Sequence, residues 1–389
     1  MRRTLVTAAG GLLLVALTAT ACTADPEADA TATSAATVPT IAAEVTPTEA
    51  VHEAAAPDTG DMLAALLLID SAGFHSMDEA LNGGAPAVDA AWLGRAQQAR
   101  IAAQAVVWAP GAAEAAHAFI EATTALEAAL EADDAAGAAP LAVAAHETQH
   151  ELSHEAYHLI ADAPGSTSGG GATLAALALI GRAGFPAMEA ALTGTAPEVN
   201  VGWVGATANA RVAAQAVVWP GESQAAANAF VTAATALEAA LEADDATAAA
   251  EAAVAANKAQ ATLATRGFGA LSGMRGSAHS NGSVLAAIAI IDAVGFHGID
   301  DALNGADPAI DKAWAAKVTQ AKRAAQTIGW PEGAQAAAEA FAKAAAALEP
   351  ALAADDVEAA AKAAGDAHGT QHALSHNVWA ALGGGTSGH

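Results

Sequence analysis

The stretch FIEATTALEAALEADDA at residues 119–135 returns as FVTAATALEAALEADDA at 230–246 and as FAKAAAALEPALAADDV at 341–357, each time 111 residues further along. It is built of alanine, leucine and glutamate, which are strong helix formers, and its Asp-Asp pair closes the helical run. Outward from it the match continues. Phe74, Trp92 and Trp108 recur as Phe185, Trp203 and Trp219, and again as Phe296, Trp314 and Trp330, with no gap across 222 residues. A fixed period of this kind marks tandem structural units. The modules run over 61–163, 172–274 and 283–385, separated by glycine- and serine-rich stretches, and each is expected to form a domain.

Punctuation divides the first module into four helical runs, 61–83, 87–108, 111–133 and 136–161, with breaks at Asn82-Gly83-Gly84, at Ala109-Pro110-Gly111 and near Gly137. Four short-linked helices predict an up-down bundle, so the fold class is all-α: three tandem four-helix modules. Trp92, Trp108 and Phe119 read as core anchors. Composition agrees, because 54% of the 389 residues are hydrophobic, mostly alanine, and only 4% are aromatic. Small side chains of this kind favour closely packed helices over sheets.

With 42 Asp and Glu against 15 Lys and Arg, the net charge of −27 repels a phosphate backbone, which excludes nucleic acid as a partner. The single cysteine, Cys22, excludes an intramolecular disulfide and a cysteine-rich zinc site. Any metal must therefore be held by nitrogen and oxygen. Arg2 and Arg3, an apolar run over 5–19 and the small residues Ala19-Thr20-Ala21 before Cys22 resemble a bacterial lipoprotein signal. That resemblance implies a signal peptide over 1–21, lipidation of Cys22, a disordered tether over 22–60 and an extracytoplasmic protein held to a membrane by its lipid. No later segment reads as a membrane span, because charges interrupt the apolar stretches.

The three copies serve as controls for one another. His75, His146, His150 and His154 of the first module return as His297, His368, His372 and His376 in the third, whereas the second has Pro186, Asn257, Ala261 and Thr265. Asp70 behaves alike, returning as Asp292 but becoming Gly181 in the middle copy. Four histidines and an aspartate kept or lost as a block imply one shared site per module, present in the first and third. His117, His158, His279 and His389 recur in no other copy and read as surface residues.

If the first and fourth runs are antiparallel neighbours, His75 comes level with His146 and Asp70 with Glu151, beside His150. One turn of about 5.4 Å separates His146 from His150, the i, i+4 spacing that chelates a cation from a single helix. At about 100° per residue, His146 lies roughly 40° from the inner direction of its helix, His150 about 80° and His154 about 120°, so His154 is peripheral. Asp70 projects inward, where an unpaired charge is costly, and serves as ligand or partner to a ligand. His75 points away from the apolar centre unless Gly73 bends the helix. Asp78, Glu79, Asp300 and Asp301 are further candidates, although acids near helix ends are commonly solvated. Gln149, Gln260 and Gln371 occur in all three copies and read as structural.

The strings GFHSMDEALNGG at 73–84 and GFHGIDDALNGA at 295–306 resemble the GxHxxE motif of imelysin-like proteins, with aspartate in place of glutamate. The resemblance implies a helical-bundle protein associated with iron uptake, and places the motif's histidine on His75 and His297 and its acid on Asp78 and Asp300. Mixed imidazole and carboxylate donors suit iron, zinc, copper or nickel better than calcium or magnesium. The expected function is transition-metal binding for uptake or storage, with a membrane transporter or surface protein as its partner. A pH-sensitive histidine cluster, bis-histidine haem ligation, a structural hydrogen-bond network, a metal-dependent enzyme and a non-metal surface module are the competing readings. No HExxH or nucleophile motif is present, since HETQH at 146–150 has a different order.

Overall fold

The computed structural model describes residues 56–274, 276 and 280–383. The expected signal peptide, Cys22 and all of the tether up to residue 55 lie outside the described residues, as do His279 and His389. Every regular element among the described residues is an α-helix, beside one isolated bridge between Thr167 and Val217.

The first repeat carries α1 (Thr59–Ile69), α2 (Phe74–Leu81), α3 (Ala90–Ala105), α4 (Pro110–Glu131) and α5 (Ala135–Ala161). The second carries α6 (Gly170–Arg182), α7 (Phe185–Leu192), α8 (Gly202–Ala216), α9 (Ser223–Glu242) and α10 (Ala246–Leu271). The third carries α11 (Asn281–Asp292), α12 (Phe296–Asn304), α13 (Lys312–Thr327), α14 (Gln335–Ala353) and α15 (Val357–Ala381). The first predicted run of each repeat is thus two helices rather than one. Gly73, Gly184 and Gly295 stand at the break with φ of 79°, 80° and 73°, a left-handed conformation that a helix cannot contain and that glycine adopts without steric cost. The helix begins at Thr59, capped by the Asp58 side chain, so the last tether residues belong to the folded part.

Asp133, Asp244 and Asp355 each hold a positive φ, and the following Asp134, Asp245 and Asp356 each cap the next helix through a side-chain oxygen. That explains the Asp-Asp pair: one residue ends a helix and the next begins another. Within each repeat the same anchors recur. Phe74 meets Phe119 edge-on at 5.5 Å between centroids, and Phe185–Phe230 and Phe296–Phe341 repeat it at 5.4 and 5.3 Å. The Trp108, Trp219 and Trp330 indoles donate to Ala103, Ala214 and Ala325 carbonyls, each at 2.8 Å. Arg100–Glu127, Arg211–Glu238 and Lys322–Glu349 bridge the third and fourth helices of their repeats.

In the first repeat α1 packs on α3 and α5, α2 on α5, α3 on α4 and α4 on α5, and the other two repeats copy these pairings. The opening helices α1, α6 and α11 also pack on one another, and their N-terminal ends converge. A Cβ on Gly60 would lie 2.8 Å from the Ala172 Cβ, one on Gly171 would lie 2.9 Å from the Ser283 Cα, and one on Gly282 would meet the Asp61 Cα. At the other end Arg182 Nη1 donates to the Leu67 carbonyl at 3.1 Å, so the helices run parallel. Each repeat therefore contacts the next in cyclic order, the third returning to the first. Ser280 Oγ to Asp61 (2.6 Å) and Asn281 Nδ2 to the Ala105 carbonyl (2.7 Å) fasten that return. The buried residues of all three repeats form one continuous core.

Two stretches, Gly170–Leu192 and Asn281–Asn304, are long and apolar enough to cross a membrane by length and composition, contrary to the expectation that none would be. Each joins a central helix, α6 or α11, to the short helix after it, and 61% of the apolar window is buried inside the protein because the central helix has protein on most sides.

Candidate functional site

His75, His146 and His150 of the first repeat gather where α2 crosses α5. Gly73 turns the chain out of α1 and aims α2 at the middle of α5, which brings Asp78 against His146 and His75 beside it. The His146 Nδ1 lies 3.0 Å from Asp78 Oδ2, and its Nε2 lies 2.9 Å from the Nε2 of His150. The His75 ring is tilted 57° to His146 with centroids 4.9 Å apart, and His150 is tilted 51° at 4.7 Å. The third repeat reproduces this closely. His368 Nδ1 meets Asp300 Oδ2 at 2.9 Å, its Nε2 meets His372 Nε2 at 2.9 Å, and the His297–His368 and His368–His372 centroids are 4.9 and 4.8 Å apart.

The geometry suits a neutral His146 whose Nδ1–H donates to Asp78 and whose Nε2 accepts from the His150 Nε2–H. The same holds for Asp300, His368 and His372. His146 is the sheltered member at 16% exposure, whereas His75 is 64% exposed with its Nε2 3.3 Å from Glu79 Oε1. His297 makes the equivalent contact with Asp301 at 3.1 Å. Burial, then the neighbouring His368 and His297 imidazoles, push the His372 pKa down.

Asp70 and Asp292 occupy a second layer behind the imidazoles. Asp70 Oδ1 accepts from Gln149 Nε2 and from Ser153 Oγ, both at 2.8 Å, with the Tyr157 hydroxyl and the Arg182 guanidinium acting on it as well. Asp292 accepts from Gln371 Nε2 at 2.5 Å and from Ser375. Burial raises both carboxyls, Asp292 to about 6. Gln149 and Gln371, read as structural, thus hold these aspartates. His154 is exposed and turned toward Glu155 at 3.5 Å, and His376 is exposed, so both stand outside the imidazole contact.

Asp78 and Asp300, candidates weighed against the solvation common near helix ends, are the carboxylates that touch His146 and His368. Ser153 and Ser375 carry no role in the sequence reading, although Ser153 lies on the inner side of its helix. The signal was present: their counterpart in the middle copy is Ala264, so they follow the histidines as a block. Tyr157 and Trp379 do so too, with Phe268 between them. The middle repeat keeps the α2–α5 link in another form, Asn257 Nδ2 donating to Glu189 Oε2 at 2.5 Å.

Chemically, each cluster offers two imidazole Nε2 atoms side by side, backed by a carboxylate, with a third imidazole adjacent. Among the described residues no group of three or more His, Cys, Asp or Glu side chains stands arranged to hold a metal ion. The Nε2 atoms of His75 and His297 are turned to Glu79 and Asp301. Compared with known protein families, curated proteins and solved structures, the chain matches none.

Proposed function

We propose that the chain is an array of three helical-bundle modules in which the first and third each bind one transition-metal ion, through His75, His146 and His150 and through His297, His368 and His372. The observation that carries this reading is the Nε2–Nε2 separation of 2.9 Å in both clusters. A metal at the usual 2.0–2.1 Å from both nitrogens would subtend an angle of about 90°, an ordinary chelate geometry. Asp78 and Asp300 on the far Nδ1–H supply the carboxylate–histidine arrangement that orients metal-bound imidazoles and raises their basicity. His154 and His376 belong to the periphery of the sites.

Because Asp78 and Asp300 are turned to Nδ1, and Asp70 and Asp292 to glutamine and serine, the donors facing a cation are imidazole nitrogens. These suit zinc, copper, nickel or iron rather than calcium or magnesium, with copper the tightest of the series. The resemblance of the GFHSMDEALNGG string to imelysin-like proteins favours iron, and the all-imidazole face favours copper or zinc. The lipoprotein-like N-terminus supports an extracytoplasmic protein tethered through Cys22, in which binding serves capture or storage of the ion for a membrane-bound partner.

Elemental analysis after loading the purified protein with each metal and desalting tests the reading. Two ions per chain are expected, one in His146→Ala and in His368→Ala, and none in the double variant. No retained metal in the unaltered protein overturns it.

A further inference from the structure

Resting on that reading, we infer that Asp70 and Asp292 are positioning residues for the two histidine pairs, and that Arg182 makes the first pair the more firmly held, so that the sites are unequal. Gln149 and Ser153 sit four residues apart on α5 and both donate to one oxygen of Asp70, which pins the rotation of α5 against α1. His146 and His150 leave α5 from the same two turns, so that pin fixes the direction in which their Nε2 atoms point. Gln371 and Ser375 do the same for His368 and His372 through Asp292.

The middle repeat shows that the fold does not need this layer. There Gly181, Ala264 and Phe268 replace the aspartate, the serine and the polar aromatic, and α10 still packs on α6, α7 and α9. A buried carboxylate is costly to retain for packing alone. It is retained where the histidines are, and discarded with them.

The inequality comes from the cyclic order of the repeats. Arg182 reaches from α6 of the second repeat to the Leu67 carbonyl of the first, from where its charge acts on Asp70 without bonding to it. One repeat earlier its counterpart is Ser71, which the cyclic order of the repeats pairs with Asp292, and the Ser71 hydroxyl is committed to the Leu68 carbonyl. Asp292 therefore has its glutamine and serine but no guanidinium.

The test isolates each site by substituting the histidines of the other, then titrates the full chain with Ni(II) and Zn(II) by calorimetry. Asp70→Ala is expected to weaken the first site on the order of 10–100-fold and leave the second unchanged, with Asp292→Ala doing the reverse. Asp70→Asn, which keeps an acceptor for Gln149 and Ser153, restores most of the affinity. Arg182→Ala brings the first site down to the second. Ser153→Ala, which copies the middle repeat, is a milder variant should Asp70→Ala fold poorly, and the 15N shifts of His146 and His150 report whether their tautomers persist. Unchanged affinity in Asp70→Ala, Ser153→Ala and Asp292→Ala, with metal bound at both sites, overturns this inference alone. No binding at either site of the unaltered chain overturns the metal reading and the inference with it.

Discussion

Gly282 lies so close against Asp61 that a Cβ on the glycine would overlap the aspartate's Cα. Neither backbone can yield, because both belong to central helices. Gly282→Ala is expected to cost about 1–3 kcal/mol, read from the midpoint of urea unfolding. Gly94, with nothing within 4 Å of a Cβ, is the comparison, and Gly94→Ala should be neutral or stabilising by about 0.5–1 kcal/mol. An unchanged midpoint for Gly282→Ala would mean that the third repeat does not close on the first as tightly as described.

The core is continuous across the repeats, so unfolding should be a single transition whichever repeat is weakened. Phe119→Ala, Phe230→Ala and Phe341→Ala each remove a ring with no exposed surface and should each cost about 3–5 kcal/mol. Far-UV circular dichroism and tryptophan fluorescence are expected to report coincident curves for all three. Three separable transitions would show that the repeats fold independently.

Asp292 gives stability a pH dependence of known sign. Its carboxyl is raised from 3.8 to about 6, so between those values the folded chain holds a proton that the unfolded chain has released. Stability from this group is greatest at low pH, falls as pH rises from about 4 to about 6, and is level above that. The span is about 1–3 kcal/mol, since one pKa unit corresponds to about 1.4 kcal/mol. Asp292→Asn should remove that slope in metal-free protein. His372 acts oppositely: its pKa is lowered from 6.5, so its contribution grows as pH rises toward that value, and the comparison must be between single variants.

The middle repeat already has Glu189 where Asp78 and Asp300 stand, bonded to the residue that replaces the first histidine of the pair. Asn257→His with Ala261→His should therefore build a third chelating pair and raise bound metal from two ions per chain to three. Pro186 leaves that site without the adjacent imidazole, so its ion should be the first lost on dilution. Two ions in the double variant would show that a histidine pair backed by a carboxylate is insufficient here.

Much of this was legible in the residues. The 111-residue period, the aromatic anchors and the Asp-Asp punctuation fixed where helices recur, because those features act locally. The block of histidines was legible because one copy lacks it. The break at Gly73 was harder, since a glycine within an apolar run reads equally as a bend or a stop until its φ is known. That break decides the site: an unbroken first helix would have put His75 on its outer side and left Asp78 far from His146. The packing of α1, α6 and α11 on one another was also hidden, because alanine- and leucine-rich helices carry no mark of which neighbour they meet. Asp70 reads from sequence as a ligand or a partner to one, whereas its hydrogen-bond partners are Gln149, read only as structural, and Ser153.

The return of the third repeat to the first has a consequence for the order of the chain itself. The first linker adds a bridge of its own between Thr167 and Val217, but the packing of the opening helices on one another does not run through it. A circular permutant that begins at Gly170 and joins Gly383 to Thr59 by a tether as long as residues 162–169 should reach the same architecture, with both histidine clusters intact.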